Sequence, residues 1–165
     1  MQIEDFTIKD MAYRITDNCN GCEACRRLCP VNAITGGKGT IHVVVSDLCI
    51  ECGGCGRVCP VAAVKDPFGI SCATVKRSLW DKPRFDEDTC MSCRICIDAC
   101  PVACLSLSGT SPPDCHGHPY MANDKSCIGC GFCSRECPVG AIKMEVRKEQ
   151  RQGKVLAKQA ELKLL

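Results

Sequence analysis

The feature that most constrains this chain is a run of four cysteines that occurs four times in 165 residues. Each run has the spacing Cys-x2-Cys-x2-Cys-x3-Cys, and a proline follows its last cysteine directly. The four runs are Cys19, Cys22, Cys25 and Cys29; Cys49, Cys52, Cys55 and Cys59; Cys90, Cys93, Cys96 and Cys100; and Cys127, Cys130, Cys133 and Cys137. With nineteen cysteines in all, the chain is expected to be a disulfide scaffold or a metal protein.

Neither disulfides nor zinc accounts well for this spacing. The cysteine total is odd, and residues 1–15 carry Glu4, Asp5 and Asp10 without the apolar run of a secretory signal. We therefore expect a cytoplasmic protein in a reducing environment, where disulfides are rare. Structural zinc sites commonly use two cysteine pairs separated by a loop, and one zinc ion does not need three cysteines spaced three residues apart.

The run is instead the ligand pattern of a bacterial-type 4Fe–4S cluster. Four runs predict four [4Fe–4S] clusters, and a chain with that content transfers electrons. An oxidised cluster with four thiolates carries about −2, so four of them would take the net charge from +2 to about −6. The 21 Lys and Arg residues offset this charge and do not indicate a nucleic-acid partner. No apolar stretch is long enough to span a membrane.

Short apolar segments flank each run. The tail after each proline is predicted to form a single helical turn, because proline fits the first position of a helix. The leaders at residues 13–16 and 41–45 are predicted to be short strands. Glycines at 36, 37 and 39 supply a turn between the first two runs.

The spacing between the runs groups them in pairs. Nineteen residues separate the first run from the second and twenty-six the third from the fourth, whereas thirty separate the pairs. In this arrangement the chain resembles the bacterial two-cluster ferredoxins, present twice in tandem at residues 12–65 and 85–143. The resemblance implies an α+β fold of two ferredoxin-like modules with short hairpins and short helices. It leaves an N-terminal extension at 1–11, a linker at 66–84 and a C-terminal helical arm at 144–165.

The resemblance also implies how the thiols are shared. In that family the first three cysteines of a run bind one cluster and the fourth binds the other. Carried over by position, this gives four quartets, numbered by the run that supplies three of their thiols. They are Cys19, Cys22, Cys25 and Cys59; Cys49, Cys52, Cys55 and Cys29; Cys90, Cys93, Cys96 and Cys137; and Cys127, Cys130, Cys133 and Cys100. Nested pairing of the outer and of the inner runs stays open, although the short glycine turn favours sequential pairing.

Three cysteines lie outside the runs. Cys72 and Cys104 are expected to pack as small buried residues, Cys72 in a short helix of the linker over residues 70–75. Cys115 stands beside two histidines, at 116 and 118, and such a group can bind metal. These three candidate ligands lie within four consecutive residues, and the segment around them is rich in proline. A surface loop is therefore the favoured interpretation.

The sequence contains no nucleophile–base pair, phosphate loop or dinucleotide fingerprint. The chain alone is therefore predicted not to be an enzyme. We expect it to be a fixed electron-transfer subunit that relays single electrons between redox sites of a larger oxidoreductase. A soluble polyferredoxin that serves several enzymes is the alternative. A third possibility is an iron–sulfur module that only stabilises a complex.

The C-terminal arm and a second resemblance both indicate that this chain binds partner proteins. Leu156, Ala160 and Leu164 form a stripe at helical spacing, which predicts docking to a partner or self-association. The chain also looks like the small iron–sulfur subunit of tungsten-dependent aldehyde oxidoreductase complexes, although hydrogenase, formate dehydrogenase and ring-reductase assemblies use similar chains. That resemblance implies two partners, a catalytic subunit with a metal cofactor and a flavin subunit that uses NAD.

Overall fold

The computed structural model describes residues 12–109 and 117–146, where short strands and short helices alternate. The strands are β1 (Arg14–Ile15), β2 (Ile34–Thr35), β3 (Val43–Val44), β4 (Val64–Lys65), β5 (Lys82–Phe85), β6 (Leu105–Leu107), β7 (Pro119–Met121) and β8 (Ile142–Glu145). The helices are α1 (Ala24–Leu28), α2 (Gly54–Val58), α3 (Ile95–Asp98) and α4 (Phe132–Arg135), with 3₁₀ turns at Ser46–Leu48 and Arg77–Leu79. None of the helices in this part of the chain has the length and hydropathy that a bilayer span requires.

This is the small mixed α+β arrangement that the sequence predicts, and the expected strands before the first two runs are present, although shorter. The N-terminal extension at 1–11 lies outside the described residues. So does the predicted helical arm from residue 147 onward, together with residues 110–116.

Each run contains one helical turn, which begins one residue before the third cysteine. The residue before each helix has a left-handed backbone, with φ of 62° at Glu23, 69° at Gly53, 69° at Arg94 and 80° at Gly131. Such a residue reverses the chain direction between the second and the third cysteine. The four runs therefore share one local geometry, which their common spacing encodes.

The predicted helical turn after each proline is wrong, because the tail forms a β-turn instead. The amide of Asn32 donates to the carbonyl of Cys29, and the other three tails repeat this bond. Proline occupies the second position of the turn, where its fixed φ fits as well as at a helix start. The turn closes on a residue with positive φ, which ends any helix, at Asn32, Ala62, Ala103 and Gly140.

The strands pair within each half of the chain. In the first half β1 is antiparallel to β4, and β2 is antiparallel to β3. In the second half β5 is antiparallel to β8, and β6 is antiparallel to β7. The first and last strands of each half therefore lie side by side, and among the described residues the runs pair sequentially rather than in a nested order.

The halves extend slightly beyond the expected boundaries. Lys82 pairs with Glu145 at the end of the β5–β8 ladder. Consequently three residues of the expected linker and two of the expected arm belong to strands of the second module. The predicted helix at residues 70–75 is also wrong: the amide of Cys72 donates to the carbonyl of Val64, so this segment follows the edge of β4.

The buried side chains are small. Cysteines, alanines and branched aliphatic residues dominate, and Trp80 is the one buried aromatic residue among those described. The buried apolar set is Ala12, Cys25, Ala33, Ile34, Cys59, Ala63, Val64, Trp80, Cys96, Cys104, Leu105, Cys127, Ile128, Cys133, Ala141 and Ile142. Because apolar stabilisation scales with buried area, this core alone stabilises the fold only modestly.

Replacing Gly56 by alanine would test how closely the linker packs on α2. A Cβ atom at Gly56 would lie 2.6 Å from Cβ and 2.7 Å from Sγ of Cys72. Although alanine is the better helix former, we expect overpacking to lower the free energy of unfolding by about 1–3 kcal/mol. Denaturant unfolding of the iron-loaded protein measures the loss, and adding Cys72→Gly should reverse it.

Gly37→Ala is the matched control for this substitution, because a Cβ atom at Gly37 comes no closer than 3.8 Å to Thr40. Equal stability of the Gly56→Ala and Gly37→Ala proteins would contradict the packing described here.

Candidate iron–sulfur centres

In three of the four quartets, all four thiols line one cavity. The cavities have volumes of about 370 Å³ for the second quartet, about 400 Å³ for the third and about 290 Å³ for the fourth. Their thiols are Cys29, Cys49, Cys52 and Cys55; Cys90, Cys93, Cys96 and Cys137; and Cys100, Cys127, Cys130 and Cys133. Each cavity thus takes three thiols from one run and the fourth from the run paired with it.

The thiols of the first quartet also lie near one another. Burial, together with the neighbouring thiols Cys19 and Cys22, raises the pKa of Cys25 to about 11. Cys19 packs against the buried group that contains Cys59, the fourth member of this quartet. Thiols of both runs thus lie close together here, as the first quartet requires.

Burial shifts the acidity of several of these thiols. It raises the pKa of Cys55 to about 12 and that of Cys133 to about 12, and in each case a neighbouring thiol adds to the shift. Such thiols are protonated at neutral pH in the metal-free chain. Because the thiolate is the form that binds metal, cluster assembly must release these protons.

Backbone amides point at the sulfur that the first, second and third runs contribute to their partners' quartets. The amide of Ala33 lies 3.3 Å from Sγ of Cys29, and the amide of Ala63 lies 3.3 Å from Sγ of Cys59. Both bonds arise from the β-turn after the proline, which turns the following amide back toward the cysteine. Hydrogen bonds to ligand sulfur stabilise the thiolate and tune cluster potential. The donor set and its surroundings fit a 4Fe–4S cluster.

Cys104 contacts two thiols of the fourth quartet. Its Sγ lies 3.4 Å from Sγ of Cys100, and its thiol also shares a hydrogen bond with Cys127. This bond lowers the pKa of Cys127 to about 6 and, with burial, raises that of Cys104, so Cys104 keeps the proton and donates it. Cys104 is buried, as expected. Its contact with a quartet was not expected, because the other three tails carry alanine at this position.

No group of three or more His, Cys, Asp or Glu side chains within residues 12–109 and 117–146 is arranged to hold a single metal ion. Cys115 and His116 of the alternative metal site lie outside the described residues. His118, the third member of that group, is tied to Ser108 through its backbone amide and carbonyl.

The sequence interpretation missed two groups beside the quartets. His42 is 1% exposed, and its Nδ1 lies 3.7 Å from Sγ of Cys19. Arg57 and Trp80 lie together where the two modules meet. A lone tryptophan in a segment taken as a linker was the available signal for the second group, since a tryptophan is seldom left exposed.

Two family models match the chain over the segments that form these centres. The model described as a 4Fe-4S dicluster domain matches residues 18–64, and the model described as a 4Fe-4S binding domain matches residues 83–106 and 121–143. With the cysteine geometry, these matches define an iron–sulfur protein that transfers electrons. Ferredoxin-type 4Fe–4S domains thus stand in tandem in the two halves of the chain.

Relatives match over short segments. Over 42 residues the chain is 43% identical to a subunit of the ion-translocating oxidoreductase complex of Aliivibrio fischeri (strain MJ11), covering 26% of this chain and 22% of that protein. Over 27 residues it is 63% identical to a ferredoxin of Acetoanaerobium sticklandii, covering 16% of this chain and 48% of that protein. The chain thus spans between about a fifth and about half of the length of these relatives.

One solved structure is similar at low identity. It is a chain of the formate dehydrogenase–heterodisulfide reductase–formylmethanofuran dehydrogenase complex from Methanospirillum hungatei, at 20% identity and a TM-score of 0.40. The similarity covers 84% of this chain and 54% of that chain. At this TM-score the likeness is too weak to establish a shared overall fold.

Proposed function

We propose that the chain holds four [4Fe–4S] clusters, one in each quartet, and relays single electrons between the redox sites of a multisubunit oxidoreductase. The observation that carries this proposal is the set of cavities lined by four thiols, each drawn from two runs. The sixteen thiols of the quartets are the proposed ligands, and the clusters supply the reversible one-electron chemistry. The chain itself holds, orients and shields them.

Charge and surface composition favour a fixed subunit over a freely diffusing polyferredoxin. With clusters bound, the net charge of about −6 is modest for a chain of this size, given its 21 Lys and Arg residues. Met91 is 60% exposed beside Cys93, and Val139 in the same wall is also exposed. Exposed apolar groups around an accessible thiol suit a protein partner that stays bound.

The match to one subunit of an ion-translocating oxidoreductase complex also supports a place in a complex. For this chain we propose a catalytic subunit that carries a tungsten cofactor for aldehyde oxidation, and a flavin subunit that uses NAD. Self-association through the C-terminal arm is part of the same proposal. The chain on this view is a non-catalytic subunit.

Anaerobic purification of the native chain tests this proposal. We expect a catalytic subunit and a flavoprotein to co-purify in fixed ratio, with tungsten in the former and about sixteen irons on this chain, as four cubanes require. Molybdenum in place of tungsten would refute the aldehyde oxidoreductase assignment alone. A chain that elutes by itself with about sixteen irons would instead be a mobile polyferredoxin.

A further inference from the structure

One arginine joins the two modules at their cysteine loops. Arg57 lies on α2, and its Nη2 donates to the carbonyl of Cys52, 2.8 Å away in the same run. Its Nη1 donates to the carbonyl of Gly129, 2.7 Å away in the other module. Cys52 belongs to the second quartet, and Gly129 stands between Cys127 and Cys130 of the fourth. The guanidinium therefore holds the loops of these two quartets side by side.

The segment between the modules packs around this contact. Trp80 is 2% exposed, its indole N–H donates to the carbonyl of Val75 at 2.8 Å, and its ring centre lies 5.6 Å from the Arg57 guanidinium. Lys82 donates from Nζ to the carbonyl of Cys127 at 2.9 Å. The buried ring beside the guanidinium fixes Arg57, and the Lys82 bond fixes the loop of the fourth quartet within its own module.

Glycine is required at position 129 for this approach. Its φ is +65°, and a Cβ atom there would lie 2.8 Å from the carbonyl oxygen of Asp81 and 3.2 Å from Nη1 of Arg57. A side chain there would clash with the backbone at Asp81 and crowd the Arg57 guanidinium. The loops of the second and fourth quartets thus meet across the Arg57 guanidinium at this point, with no Cβ atom at residue 129.

The exposure of the second cysteine in each run agrees with this contact between the modules. Cys22 and Cys93 are exposed, whereas Cys52 and Cys130 are partly buried. The four positions are equivalent in sequence, so the difference arises from the packing of the two modules. The first and third quartets therefore lie on the outside of the pair.

We propose that electrons cross between the modules from the second quartet to the fourth at the Arg57 contact, which deepens the proposed function and rests on it. Within a module the two quartets are built from the same two runs and are therefore neighbours. The electron path thus passes through the first, second, fourth and third quartets, in that order. The loops that carry Cys22 and Cys93 are its two ends. In the crossing one cluster is oxidised by one electron and the other is reduced by one, with no bond formed or broken and no proton moved.

The charge on Arg57 suits this role. Each oxidised cluster with its thiolates carries about −2, so two of them repel when their loops approach. A guanidinium bonded to both loops opposes that repulsion. The residue thus acts as a positioning residue for the crossing.

Two forms of the chain that each keep one pair of quartets test the order. The first form replaces Cys19, Cys22, Cys90 and Cys93 by alanine and keeps the second and fourth quartets. The second form replaces Cys49, Cys52, Cys127 and Cys130 and keeps the first and third. After anaerobic reduction we expect magnetic coupling in the electron paramagnetic resonance spectrum of the first form only. Coupling in the second form alone, or in neither at about eight irons per chain, would overturn the order.

A second measurement leaves all sixteen ligands in place, in case the two-cluster forms do not fold. Arg57→Ala should reduce the coupling between modules at unchanged iron content. Arg27→Ala is the matched control, because Arg27 holds the same position in the first run, is 75% exposed and pairs only with Glu23 among the partners shown. Identical reduced spectra of the two variants at full iron content would overturn the role of Arg57.

The same samples separate this proposal from the proposed function. A native chain that binds about sixteen irons but shows no coupling between modules would refute the crossing and leave the four-cluster relay intact. A native chain that binds far fewer irons would refute the four-cluster relay itself.

Discussion

Replacing Cys19 and Cys59 together by alanine is expected to remove one cluster and leave three. The two residues belong to different runs, but both lie in the first quartet, where Cys19 packs against the buried group that contains Cys59. A cubane that loses two of its four thiolates has no way to stay bound. Iron should fall from about sixteen to about twelve per chain, and the reduced spectrum should integrate to about three spins.

The comparison that makes this result decisive replaces Cys55 and Cys59, which belong to the same run. Crossed sharing of the thiols places them in two quartets, so this pair of substitutions should damage two clusters and leave about two spins per chain. If each run held its own cluster, the results would be reversed. Replacing Cys19 and Cys59 would then damage two clusters, and replacing Cys55 and Cys59 would remove only one. Cys72→Ala is the control, because this partly buried cysteine lies in the same module outside the quartets and its loss should leave all four spins.

Removal of iron is expected to abolish cooperative unfolding of both modules. The buried side chains are mainly alanine, cysteine and small aliphatic residues, and the described strands are two to four residues long. Burial raises the pKa of thiols such as Cys55 and Cys133 to about 12, so these groups are neutral in the metal-free chain and become thiolates on binding metal. Metal-binding free energy therefore becomes folding free energy, as in other small metal-bound domains.

Circular dichroism and amide hydrogen exchange would measure this loss after anaerobic chelation. The strands β5 and β8 form the longest ladder among the described residues. All of their amides should lose protection together, because no part of the metal-free chain is expected to remain as a stable core. Reconstitution with iron and sulfide should restore a single transition. A metal-free chain that keeps a sharp transition and full protection would show that apolar packing alone holds the fold.

The sequence predicted the composition of the site better than its local structure. The spacing of the runs identified sixteen thiols, and the resemblance grouped them in four sets, three of which also line common cavities among the described residues. The helix after each proline was wrong because proline suits both a helix start and the second position of a β-turn. The positive φ that decides between them falls on Asn32, Ala62 and Ala103 as well as on Gly140, so no residue type marks it.

The contact between the modules could not be predicted from the sequence. Arg57 and Gly129 are 72 residues apart and lie in runs that read alike except at a few positions. Arg27 has the same place in its run as Arg57 and points to solvent, so only the packing of Trp80 and the neighbouring backbone distinguishes them. Long-range packing of this kind leaves no periodic pattern in the chain.

The pairing of the first strand of each module with its last strand sets the order of events during synthesis. β1 emerges from the ribosome early, but its partner β4 ends only at Lys65, so the first module cannot close before that residue is available. β5 likewise waits for β8, which ends at Glu145. Because domains generally fold as units from the N-terminus, the first module can be complete while the second is still being made. In the nascent chain, the thiols of the first run of each pair would thus stay accessible to iron donors, and to oxidants, until the second run has left the ribosomal tunnel.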